Sequence, residues 1–146
     1  MGSSSTIYKL LMFCVREKKF KFRLNQILEE EDFRRNHLDD ILSTIHRASC
    51  LFQTERIHDE LFITIKIKLN LCKSYNYWGN CNKKCYKLHL CQKIILNKHC
   101  EKDCRLNHYI MSSYNKHLIE LYHFYTEPSA ILKFYQVKYC FFYFKF

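Results

Sequence analysis

Residues 72–108 read CKSYNYWGNCNKKCYKLHLCQKIILNKHCEKDCRLNH, and this stretch decides how the rest of the chain is understood. Cys72, Cys81, Cys85 and His89 are spaced Cys-x8-Cys-x3-Cys-x3-His, and Cys91, Cys100, Cys104 and His108 repeat that spacing 19 residues later. A ligand set recurring at a fixed period points to one structural unit used twice. Three thiolates and one imidazole fill the four tetrahedral positions of Zn²⁺, leaving none for water, so each set is expected to be a structural site. Such a short segment has few large apolar residues of its own, so ligation has to supply its folding energy. The expected cofactor is therefore two Zn²⁺, in finger 1 (residues 72–89) and finger 2 (residues 91–108).

The alternative for nine cysteines in 146 residues is a disulfide framework. The N-terminus argues against it. Ile7 to Val15 is apolar but interrupted by Lys9, and Arg16, Glu17, Lys18 and Lys19 follow with no small-residue cleavage pattern. That is not a secretory signal, so reduced thiols and a cytoplasmic location, with the nucleus as alternative, are expected. Met1-Gly2-Ser3-Ser4-Ser5-Thr6 fits the loose N-myristoylation pattern, with Lys18, Lys19, Lys21 and Arg23 as a second basic signal; an ordinary chain start is the plainer reading. No apolar run approaches the ~20 residues of a membrane span.

The formal charge is +10 and is unevenly placed. Residues 72–108 hold Lys73, Lys83, Lys84, Lys87, Lys93, Lys98, Lys102 and Arg105 against Glu101 and Asp103, a net of +6. In finger 1, Tyr75, Tyr77, Trp78 and Tyr86 interleave with Lys73, Lys83, Lys84 and Lys87. Rings that stack on bases beside ammonium groups that meet phosphates suit unpaired RNA. Tyr75 and one further ring are equally expected to cover the metal. Finger 2 carries Ile94, Ile95 and Leu96 instead and looks like a packing partner, with Lys93, Lys98 and Arg105 left for phosphate. His99 lies off the repeat and is expected at the surface, as are His37, His46, His58, His117 and His123. Cys14 and Cys140 are expected to pack among apolar neighbours, and Cys50 has no assigned role.

The flanks complete a small α+β fold. Residues 1–71 read as a winged-helix-like domain. Ile7, Leu10, Leu11 and Cys14 recur at helical spacing, as do Leu24, Ile27 and Leu28, then Leu38, Ile41, Leu42 and Ile45. Leu61 to Leu71 alternates as a half-buried strand, paired with a shorter one at Leu51 to Thr54 across a turn near Ile57 to Glu60. The third helix could read DNA through Arg34, Arg35 and Arg47, but Asp39 and Asp40 would face phosphates badly, so a scaffold is the favoured role. Residues 109–146 read as a helix and an aromatic tail. Ile110, Tyr114, Leu118 and Leu121 share one face, and Pro128 breaks the chain. The tail FYQVKYCFFYFKF (134–146) has eight aromatics and no acid. It fits a core strand, a protein-partner contact or an abnormal end.

The run Leu88-His89-Leu90-Cys91, joining two fingers through one residue, resembles the N-terminal RNA-binding domain of the zinc-finger antiviral protein and its CCCH-finger poly(ADP-ribose) polymerase relatives. Cys104-Arg105-Leu106-Asn107-His108 and the order of winged helix before fingers are similar too. The resemblance implies binding of single-stranded, often viral, RNA and a role in innate immune restriction. It also implies that the second finger is important for base recognition, whereas the residues favour the first, so both stay candidates. That family usually has four fingers where this stretch has two, and ADP-ribosyl transfer is not expected of it. Two closed metal sites and no nucleophile–base arrangement give no sign of an enzyme. The rivals to RNA binding are a protein-interaction scaffold stapled by zinc and DNA binding through the winged helix.

Overall fold

The structure, a computed structural model, describes residues 2–34, 36–81, 84–122, 124 and 126–142. Its elements run α1 (Gly2–Glu17), β1 (Lys21–Arg23), α2 (Leu24–Leu28), a 3-10 turn (Glu31–Phe33), α3 (Leu38–Arg47), β2 (Phe52–Ile57), β3 (Glu60–Ile65), α4 (Lys73–Trp78), α5 (Gln92–Ile95), α6 (Ser113–Leu121) and α7 (Pro128–Phe142). This is a small mixed α/β arrangement in which β3 lies between β1 and β2, antiparallel to both. Among the described residues, no helix is long and apolar enough to cross a membrane.

Local chemistry accounts for the first half. In α3, Ile41, Thr44 and Ile45 are buried on one face. Asp39 and Asp40 sit in its first turn and His46 and Arg47 in its last, each matching the sign of the nearby helix end. β2 and β3 pair from Phe52↔Ile65 to Ile57↔Glu60, which leaves a two-residue turn. His58 (φ 49°) and Asp59 (φ 65°) both adopt the left-handed conformation, as a turn that follows the strands' twist requires. The shorter strand is thus Phe52–Ile57, longer than Leu51 to Thr54, and the turn is narrower than expected. β1 had no periodic signal at three residues; its Phe22 is buried opposite Ile63.

The strand expected over Leu61 to Leu71 ends at Ile65. Beyond it the alternation of burial continues outside any described strand: Ile67 and Leu69 are buried, Lys66 and Lys68 exposed, and the backbone pairs again at Leu71, in a single bridge to Leu88. Side chains of α7 take the place of a neighbouring strand. The Tyr135 hydroxyl donates to the Leu69 carbonyl at 2.5 Å, and the Leu71 N–H donates to the Tyr139 hydroxyl oxygen at 2.7 Å. Lys138 Nζ donates to the Ile67 carbonyl at 3.1 Å and to Asn70 Oδ1 at 2.8 Å. Period alone reported burial correctly and hydrogen bonding incorrectly.

The C-terminal aromatics correct a second expectation. Those from Phe134 to Phe142 lie in a helix, not in the core strand that was one of three readings, and Pro128 opens it, where its fixed φ and missing N–H suit a first turn. Phe134 and Tyr135 are fully buried, with Phe124 against both rings at 6.3 and 6.5 Å. Of the tail proposed for a protein partner, these two rings belong to the core; residues 143–146 lie outside the described residues. Cys140 is exposed, against expectation, while Cys14 is buried and its thiol is pushed up to about 12 by burial. The helix expected over Tyr109 to Tyr125 is confined to Ser113–Leu121, with Leu118 and Ile119 inside and Leu121 exposed.

One apolar cluster joins all segments. Leu10 and Leu11 of α1, Ile41 of α3, Ile63 of β3, Leu88 and Leu90 of the finger junction, Ile95 of α5 and Ile131 of α7 all belong to it. The fingers therefore rest on a core and do not hang from a linker.

Burial pulls the Lys138 ammonium down to about 8 from its ordinary 10.5. The folded state thus binds this proton less tightly than the unfolded chain does. The penalty is complete below pH 8 and relieved above 10.5, so stability should rise with pH across that window. Chemical denaturation at several pH values should show this rise in the wild type relative to Lys138→Met; parallel curves would refute it.

Candidate metal centre

Each ligand set converges. Cys72, Cys81, Cys85 and His89 place one ligand atom each within 4.8 Å of all the others, and Cys91, Cys100, Cys104 and His108 do the same. All nine cysteines are free. Cys72 Sγ lies 3.7 Å from Cys85 Sγ, and Cys91 Sγ 3.9 Å from Cys100 Sγ. A disulfide bond is about 2.05 Å, so these sulfurs are in contact and not bonded. Tetrahedral Zn²⁺ with bonds of about 2.3 Å to sulfur and 2.0 Å to nitrogen spaces its ligands about 3.8 Å (S···S) and about 3.5 Å (S···N) apart. Cys100 Sγ lies 3.5 Å from His108 Nε2, in agreement. His89 Nε2 is buried with no hydrogen-bond partner. A buried lone pair facing three sulfurs has a natural use in a metal bond. The two clusters can each hold a metal ion, and their dimensions are consistent with two zinc sites.

Electrostatics favour a cation too. Burial draws His89 below its ordinary pKa, which keeps the imidazole neutral and its lone pair available. In finger 2, desolvation and the neighbouring Cys104 and Cys91 push the Cys100 thiol up to about 11. A hydrogen bond from the Leu106 N–H and one with His108 draw Cys104 down to about 7. Three adjacent thiols cannot all ionise against one another's charge; a dication removes that obstacle.

The repeat is one of backbone geometry as well as ligand type. The Cys72 N–H donates to the Leu88 carbonyl at 2.8 Å, and the Cys91 N–H donates to the Asn107 carbonyl at the same distance. A short helix follows the first ligand in both, α4 after Cys72 and α5 after Cys91. Gly79, at φ 80°, ends α4 with the left-handed residue that turns the chain toward Cys81.

Three asparagines that the sequence did not single out hold the fingers together. Asn76 Nδ2 donates to the Cys72 and Leu90 carbonyls, and its Oδ1 accepts from the Gln92 N–H at 2.7 Å. Asn107 Nδ2 donates to the His89 carbonyl at 3.0 Å. Asn115, fully buried on α6, accepts from the His89 N–H at 2.9 Å and donates to the His89 carbonyl at 3.0 Å. Rings complete the clamp. Tyr75 stacks on His89 at 4.6 Å and 5°, and Tyr114 on α6 stacks at 4.1 Å and 14°. The Tyr75 hydroxyl oxygen also accepts from the Asn107 N–H at 2.6 Å, and the Tyr114 hydroxyl donates to the Cys85 carbonyl at 2.6 Å. Tyr75 is thus the expected covering ring, but the second is Tyr114 of α6 and not Tyr77, Trp78 or Tyr86 of the finger.

The remaining candidates separate by exposure. Tyr77, Trp78 and Tyr86 are 78%, 72% and 54% exposed. Lys73, Lys84, Lys87, Lys98 and Arg105 are exposed and Lys93 is half-buried. Lys83 lies outside the described residues, as do Arg35 and His123. His37, His46, His58, His99 and His117 are exposed. In finger 2, Ile95 is buried and Gln136 of α7 donates to the Ile94 carbonyl at 3.3 Å, the packing role anticipated for it. Tyr109, exposed beside the last ligand, adds a ring that the sequence reading passed over. No protein-family model and no curated protein matches the chain.

Chelation should release two metal ions per chain and remove amide protection throughout residues 72–108, read by elemental analysis and hydrogen exchange. Fewer than two ions, or unchanged protection, would contradict the paired sites. Asn115→Ala strands the His89 N–H and leaves its carbonyl with the Asn107 amide alone, so it should cost roughly 1–3 kcal/mol of stability. In a chelator competition it should weaken metal retention at finger 1 more than at finger 2; equal loss would contradict the clamp.

Proposed function

We propose that this chain is a zinc-dependent RNA-binding protein whose first finger holds single-stranded RNA. One observation carries the reading: Tyr77, Trp78 and Tyr86 stand in solvent on the same finger as the exposed Lys73, Lys84 and Lys87. Most of the large apolar side chains of this protein are used in its core, and these three rings are not. Tyr77 and Trp78 meet edge to face at 4.6 Å and 80°, so a base laid on either face would extend an existing aromatic contact. Base–ring stacking is worth ~1–3 kcal/mol per base, and the ammonium groups add a salt-dependent attraction for phosphate.

The resemblance to the antiviral CCCH-finger family supports the same conclusion and brings the possibility of viral RNA as target. It favours the second finger for base recognition; exposure of the rings favours the first. The order α1-β1-α2-α3-β2-β3, with β3 between β1 and β2, supports reading the N-terminal half as a winged helix. Its third helix exposes Asp39 and Asp40, which speaks for a scaffold and against groove reading. Filled Cys3His sites without an open coordination position fit a binding module better than an enzyme, and reduced thiols fit the cytoplasm or nucleus.

Zinc-loaded protein titrated across a salt series should bind single-stranded RNA more tightly than duplex RNA or duplex DNA, with affinity falling steeply as salt rises. Trp78→Ala should weaken it by about 1–3 kcal/mol, and Lys84→Ala should lessen the salt slope. Absence of binding to any nucleic acid at low salt would sink the proposal in favour of the scaffold, and preference for duplex DNA would favour the winged helix.

A further inference from the structure

A cleft of about 370 Å³ opens between the segment following β3 and helix α7. Its volume falls within the range of small-ligand sites. Phe20, Ile65, Ile67 and Phe134 form its apolar lining, with the Phe20 and Phe134 rings edge to face at 5.5 Å and 73°. Lys66, Lys68, Lys138 and Asn70 also line it, and the described residues lining it include no carboxylate. Lys138 is fixed in place, donating to Ile67 and Asn70 while its Nζ lies 5.6 and 5.8 Å from the ring centres of Tyr135 and Tyr139.

We propose that this cleft binds a phosphate monoester carried on a flat apolar body, such as a nucleoside monophosphate. Three lysines around one cleft suit a dianion better than a single carboxylate. The aromatic and aliphatic lining suits a ring. Holding Lys138 partly out of water is costly on its own, and an anion bound beside it offsets that cost. A second cleft, beside α1, lacks this character. Its Arg16 and Lys133 are accompanied by Glu30 and Asp32, and Arg16 already pairs with Glu30 at 2.9 Å. The inference uses none of the rings of finger 1 and does not depend on the RNA reading. The ligand could be a free mononucleotide or the phosphorylated end of a strand, which share this chemistry.

The test is titration of the zinc-loaded full chain with phenyl phosphate and with adenosine 5′-monophosphate, followed through the methyl signals of Ile65 and Ile67. Saturable shifts with both are expected, with phenol giving little change. The exposed-residue variant Lys66→Ser/Lys68→Ser, which leaves the packing of α7 intact, should weaken binding at least about tenfold, and Lys138→Met should do so too. No shift at millimolar ligand, or equal shifts in the wild type and the Lys66→Ser/Lys68→Ser protein, would overturn the proposal. A 5′-phosphorylated oligoribonucleotide that moves these methyls more than its 5′-hydroxyl counterpart supports the site with a strand end as source. Equal response to the two oligonucleotides, with binding of the free monophosphate, supports it with a small molecule as source.

Discussion

Three sulfurs and an imidazole nitrogen crowd within 4.8 Å of one another, twice, and much of the C-terminal half is arranged around that crowding. Thiolates so close repel unless a cation lies among them, and His89 Nε2 is buried beside them with no hydrogen-bond partner. The ligand sets cannot hold this geometry by themselves, because the loops between them bury little. Their surroundings supply the precision. Asn115 and Asn107 fix the His89 backbone, Tyr75 and Tyr114 enclose its ring, and the common core beneath holds Leu88 and Leu90 on either side of it.

His89 therefore has two duties. It is the last ligand of one finger and the start of the connection to the next, with a single residue, Leu90, before Cys91. Side chains from the first finger, the second finger and α6 all meet it. The fingers consequently share one clamp and one core, and their relative orientation is set by short hydrogen bonds. The surface presented by the first finger is held steady in this way.

Helix α7 plays the corresponding part at the other end of the sheet. By giving Tyr135, Lys138 and Tyr139 to backbone groups of residues 67–71, it covers the segment that follows β3. The same substitution of side chains for a strand leaves room beside Phe20 and Phe134, and the lysine-lined cleft is the result.

The metal ligands, the helices of the N-terminal half and the β2–β3 hairpin were legible in the sequence, because spacing and period are local properties. The buried face of α1 and, apart from the exposed Leu38, that of α3 followed from a repeat near 3.6, and the ligands from a repeat of 19 residues. The tail defeated the same approach. Its run of aromatics fits a strand or a buried helix equally, and only packing against α1 and α5 decides for the helix. Asn76 and Asn115 gave no signal because a buried amide is useful only when two backbone groups stand opposite it, a condition set by distant residues. Likewise Tyr75 and Tyr77, two positions apart, look alike in sequence. The structure turns one onto His89 and the other to solvent, since a six-residue helix can bury only one side. What the chain could chelate was thus written in its order of residues; which rings and amines remain available for a partner was decided by tertiary contacts alone.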